Sequence, residues 1–179
     1  MRFFLLFILG LHYFNFQGQT NINCANMSGI CTNSGLTFPA NTGIPDAHIS
    51  NPGNDYGCLT GFSGTSTPNP SWFYLEILQP GNINMTLSAN NDIDFIIWGP
   101  FPNINNAISN CNSYSASQIV DCSYSFVSTE FPTISNASAC EVYVMLITNF
   151  SGLSQSISLV QSSGNGSTNC SILNPCSMN

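Results

Sequence analysis

Basic side chains are nearly absent from this sequence. It holds one Lys or Arg, Arg2, against eight Asp and Glu. Nucleic-acid phosphates and anionic lipid surfaces are held by cationic side chains, so neither is an expected partner. Charged residues of either sign make up only 5% of the chain, and solubility rests on the Asn, Ser and Thr that recur throughout. No Cys-x-x-Cys pair occurs, and His48 is the only histidine beyond the leading segment, which argues against zinc. No apolar pattern of helical period runs for a useful length, and no internal repeat is visible.

What the chain does have begins with Arg2 and the apolar run Phe3 to Leu11. A positive charge before a short apolar run is the layout of a secretory signal peptide, and the run is too short to span a bilayer as a mature helix. Residues 1–20 are read as that signal, with cleavage between Gly18 and Asn21. The expected product is secreted, extracellular, and not inserted in a membrane after signal removal. Eight cysteines remain: Cys24, Cys31, Cys58, Cys111, Cys122, Cys140, Cys170 and Cys176. An even number in an exported chain suggests up to four disulfides. Sequence does not select among their pairings, but short loops favour Cys24 with Cys31, Cys111 with Cys122 and Cys170 with Cys176, leaving Cys58 for Cys140.

Residues 21–56 are rich in Asn, Gly, Pro, Ser and Thr and read as a loop-rich segment packed along the domain. Residues 57–161 carry the strand signals. "WFYLEILQ" and "NINMTLSA" each alternate with one apolar face, and the Pro80-Gly81 turn signal between them predicts a hairpin. "IDFIIWG" is apolar on both faces, as a central strand would be, with Phe95 and Ile97 on one face and Ile96 and Trp98 on the other. Pro100 and Pro102 are expected to end it. "NNAISNC" is a short helix or a crossover loop, and "SQIVDCSYSF" a short strand or its approach. "CEVYVMLITNF" alternates Val142, Val144 and Leu146 against Tyr143, Met145 and Ile147, and "SISLVQ" points Ile157 and Leu159 together. Residues 162–179 form a polar, Cys-containing tail. The whole reads as an all-β fold, a disulfide-stapled antiparallel β-sandwich of jelly-roll type.

These stretches also carry a resemblance. "DYGCL", "PNPSWFYLEILQPGNINMTLSA", "NDIDFIIWGPF", "VDCSYS", "EVYVMLITNFSG" and "SLVQSSGNGSTNCS", in this order from Gly57 to Ser171, resemble a β-sandwich module of large secreted surface and adhesion proteins of gliding bacteria. More distantly they resemble bacterial pre-peptidase C-terminal domains. The resemblance implies a non-catalytic extracellular module, with other copies of itself or cell-surface proteins and glycans as partners. The alternatives are a self-assembling structural subunit of an extracellular fibre and a carbohydrate-binding module.

Only the acidic residues offer charged chemistry. Asp92 and Asp94 stand at i and i+2, so a regular strand turns both to one side. Glu76, Asp121, Glu130 and Glu141 could approach them from neighbouring strands or loops. Calcium takes six to eight oxygen ligands, and the two aspartates are the first candidates to hold it, joined by Glu76 or Asp121 from a neighbouring segment. The competing reading has both aspartates at a solvated rim, holding backbone N–H groups at a strand end. Trp72, Tyr74 and Trp98 are candidates for a sugar-binding surface, against core packing as the alternative. His48, with Asp46 and Ser50 nearby, lacks a readable oxyanion hole, and no paired acid and nucleophile for glycoside hydrolysis stands out, so no catalytic residue is expected. Sequons occur at Asn26, Asn84, Asn136, Asn149, Asn165 and Asn169.

Overall fold

Alternation with period two gives a strand two faces, and here most long strands have apolar residues on at least one. The computed structural model describes residues 21–171. The signal-peptide reading of residues 1–20, and Cys176 with the end of the tail, lie outside the described residues.

Strands and short helices run in the order β1 (Ser28–Gly29), β2 (Leu36–Pro39), α1 (Ala47–Ser50), β3 (Thr60–Gly61), β4 (Gly64–Thr65), β5 (Pro70–Gln79), β6 (Gly81–Ser88), β7 (Asp94–Phe101), α2 (Ile104–Ser109), β8 (Ile119–Ser123), β9 (Thr129–Glu130), β10 (Thr133–Ala137), β11 (Val142–Thr148), β12 (Ser156–Ser163) and β13 (Ser167–Thr168). One sheet has the order β1-β5-β11-β7-β8, with β13 also on β5. The other has the order β10-β6-β12-β2, with β9 also on β6. Pairing is antiparallel except where β1 runs parallel to β5. The protein is thus an all-β sandwich.

Between the sheets lies the main core. Phe73, Leu75, Ile77, Phe95, Ile97, Met145 and Ile147 face it from the first sheet, and Ile83, Met85, Leu87, Ile157 and Leu159 from the second. The strands β7 and β11 are apolar on both faces because the first sheet is covered on both sides. Its outer face carries Trp72, Ile96, Trp98, Val142, Val144 and Leu146, packed under Met27, Ala47, Tyr56, Leu59, Ala107 and Tyr114. The loop-rich N-terminal segment and the stretch around α2 supply this cover. Trp72 and Trp98 stack within it, with ring centroids 5.7 Å apart.

Three expectations change. The segments flanking Pro80-Gly81 are not a hairpin, because β5 lies in the first sheet and β6 in the second. Both strands turn apolar faces to the same core, so the pattern that suggested a pair also suits two strands meeting across a sandwich. Gly81 makes the corner at φ +141°, and a Cβ there would sit 2.7 Å from the Gly166 backbone nitrogen. Pro100 does not end β7. The strand continues to Phe101, and its register against β11 shifts between Trp98 and Phe101, an irregularity that accommodates a residue without an N–H donor.

The local disulfide guesses are replaced by long-range bridges: Cys24–Cys111, Cys31–Cys170 and Cys58–Cys122. Cys140 is also disulfide-bonded, and no described cysteine is free. Neighbours in sequence lost to neighbours in space: each bridge ties a covering segment or the tail to an element far along the chain. Such bonds form and persist in an oxidising compartment, and among the described residues no helix is long and apolar enough to cross a membrane.

Candidate functional site

Three loops meet at one end of the sandwich: 89–93 before β7, 124–128 after β8, and 149–155 between β11 and β12. Amide side chains hold them together. The Gln155 Oε1 accepts from the backbone N–H groups of Asn90 at 3.1 Å and Asn91 at 2.7 Å. Its Nε2 donates to the Asn149 Oδ1 at 2.8 Å, and the Asn149 Nδ2 donates to the Asn41 and Leu153 carbonyls. Asn149 is therefore a structural amide, 1% exposed, and its side chain is already committed within the fold. Three main-chain bonds complete the join, Ser151 N–H to the Asp92 carbonyl, Ile93 N–H to the Val127 carbonyl and Ala89 N–H to the Ser128 carbonyl.

Asp92 and Asp94 lie beneath the 124–128 loop. Asp94 is not at a solvated rim: it is 1% exposed. Its Oδ1 accepts from the Ser125 N–H at 2.9 Å, while its Oδ2 is buried with no hydrogen-bond partner. Asp92 is half-buried, and its Oδ1 is likewise buried and unpartnered. The third carboxylate of the group is Glu130, 6% exposed, whose Oε1 is also unpartnered. Burial pushes the Asp94 carboxyl up to about 7, against the Ser125 N–H, and the charges of Asp92 and Glu130 push the same way. Burial also raises Asp92, with the Val127 N–H opposing it, and raises Glu130, with Ser123 opposing it.

Of the other expected ligands, Asp121 is near enough for its charge to raise Glu130 but is engaged in other bonds, and Glu76 stands elsewhere. Glu76 is on β5, where it accepts from the Asn169 Nδ2. Asp121 is saturated on β8: one oxygen accepts from the Cys122 N–H and the other from the Thr133 N–H and hydroxyl. Among the described residues no three His, Cys, Asp or Glu side chains already stand close enough to share one metal ion.

The expected aromatic surface is also placed differently. Trp72 and Trp98 are both 0% exposed, held in the outer-face core, with the Trp98 indole N–H donating to the Asp55 carbonyl. The depth of that cover removes them from any ligand. Tyr74 borders a separate cavity of about 170 Å³ with Gly29, Ile30, Glu76 and Ile104. The aromatic cluster at the surface is instead exposed Tyr124 and Phe126 with half-buried Phe150, centroids 5.6 to 6.4 Å apart. Phe126 is 86% exposed. These rings sit in the loops over the carboxylates, and Tyr124 and Phe126 line the same small cavity as Asp92 and Asp94. Their signal in the sequence was hidden, since all three fall at the ends of stretches that read as strands, while β8 stops at Ser123 and β11 at Thr148.

His48 is engaged with Thr67 at 3.0 Å and Asp46 at 3.5 Å. Comparison with protein-family models and with curated proteins gives no match to this chain.

Proposed function

We propose that the protein is a non-catalytic, secreted surface module of the adhesion-associated kind its strand motifs resemble, and that it binds its partner through the aromatic end of the sandwich. The observation that supports this reading is the surface cluster of exposed Tyr124 and Phe126 against half-buried Phe150. Exposed rings grouped on loops over a well-packed scaffold are typical of recognition surfaces. Their neighbours are carboxylates and the described residues contain no Lys or Arg, so an anionic ligand is disfavoured. A neutral glycan suits both features, with apolar sugar faces on the rings and hydroxyls toward the polar loops.

Binding of the protein to neutral cell-surface polysaccharides, compared with the Tyr124→Ala/Phe126→Ala variant, tests the reading. Each ring contact is worth about 1 kcal/mol, so the double variant should bind about tenfold or more weakly with an unchanged melting temperature. Equal binding by both proteins would overturn it. Concentration-dependent assembly of the wild type, lost in the variant without any glycan binding, would instead favour the fibre-subunit alternative.

A further inference from the structure

The described residues contain no Lys or Arg, and their one histidine is occupied with Thr67 and Asp46. Among the described residues, the carboxylate group under the 124–128 loop therefore has no cationic partner. Buried carboxylate oxygens ordinarily carry hydrogen bonds or ionic partners. Here three adjacent acids each leave one buried oxygen unpartnered: Asp92 Oδ1, Asp94 Oδ2 and Glu130 Oε1. The mutual effect of Asp92 on Asp94 and Glu130 places these charges within interaction range of one another.

Asp92 and Asp94 line a cavity of about 10 Å³ with Tyr124, Ser125 and Phe126. That is close to the space one water occupies on the same measure, so the cavity suits a single ion or water and no larger ligand. We propose that this cavity is a calcium site, with Asp92 and Asp94 as its carboxylate ligands and Glu130 as a neighbouring charge acting through water. Oxygen donors select a hard cation, and the site's irregular, loop-built character favours calcium over magnesium, which demands near-ideal octahedral geometry. The positions that the two aspartates leave face outward past half-buried Asp92, where solvent water lies outside the cavity. Burial of unpartnered carboxylate oxygens and the repulsion between neighbouring acids are the cost that the ion would remove. The inference does not depend on the aromatic end's ligand.

The experiment uses protein stripped with chelator at pH 8, followed by melting curves with calcium or magnesium and by terbium luminescence excited through Tyr124. Calcium should raise the melting temperature by several degrees, magnesium by less, and terbium should emit in a calcium-competable manner. The variant Asp94→Asn should melt higher than wild type without calcium, because one repelling charge is gone, and should no longer respond to it. Asp92→Asn, at the more exposed position, repeats the test should Asp94→Asn fail to fold. Glu141→Gln, remote from the cavity, should keep the full response and so exclude general screening of an acidic protein. No calcium shift and no terbium emission would overturn the proposal. So would a calcium shift that persists in both aspartate variants.

Discussion

Asp94 concentrates the electrostatic tension of the molecule. Its folded-state pKa of about 7 stands above the unfolded value of about 4. Between these values the folded state binds a proton that the unfolded state releases. The stability that this provides is complete below pH about 4 and is lost as pH rises through about 7, by an amount on the order of a few kcal/mol. In chelator, the melting temperature should therefore fall between pH 5 and pH 8, and Asp94→Asn should flatten most of that fall. Asp92 and Glu130, also raised, supply the remainder. A calorimetric scan series checks this, and an equally steep fall in the variant would assign the effect elsewhere. Gln155 is the uncharged counterpart. Gln155→Ala would leave the N–H groups of Asn90 and Asn91 without their acceptor, at about 1–3 kcal/mol for each one that water cannot reach. The expected result is a lower denaturant midpoint and faster amide exchange at Asn90 and Asn91, while β11 amides keep their protection.

At the scale of elements, faces were legible in the sequence and partners were not. The two-sided apolar runs of β7 and β11 announce central, doubly covered strands, and Phe95 and Ile97 do face away from Ile96 and Trp98. A period of two, however, says which side of a strand is dry and nothing about which strand lies beside it. That is why β5 and β6 read as a hairpin although they belong to opposite sheets. The same limit left the carboxylate group incomplete. Asp92 and Asp94 stand two apart in sequence and were readable, whereas nothing in the sequence chose among Glu76, Asp121, Glu130 and Glu141, and Glu130 joins them through β9, a two-residue strand placed by pairing with Leu87 and Ser88 of β6. Disulfides add constraints of their own. Cys58–Cys122 fastens the turn before β3 to edge strand β8 across 64 residues, and a bridge of such span typically contributes about 2–4 kcal/mol. Replacing both cysteines by Ser should lower stability by that amount and raise proteolytic cleavage near residues 57–66, checked by limited digestion and mass spectrometry. Cleavage confined to other loops would show that packing of Leu59 alone holds the turn.

The molecule as a whole has two cores that differ in how they are held. The inter-sheet core is built from long strands hydrogen-bonded in regular ladders. The outer-face core is closed by segments with little regular structure, tied down by Cys24–Cys111 and Cys58–Cys122. Both tryptophans of the chain, Trp72 and Trp98, lie in this second core. Their fluorescence therefore reports on the cover, while the far-ultraviolet circular dichroism reports mainly on the sheets. With the disulfides intact, packing joins the two layers and one cooperative transition is expected. With the disulfides reduced, the cover loses the restraint on its unfolded ensemble and the sheets keep their ladders. Urea titration of the reduced, alkylated protein should then show the tryptophan emission shifting to the red at lower urea than the loss of β signal. Coincident transitions after reduction would mean that the cover is held by its apolar contacts, above all Tyr56, Leu59 and Tyr114 against the stacked indoles, and that the bridges merely add to a single cooperative unit.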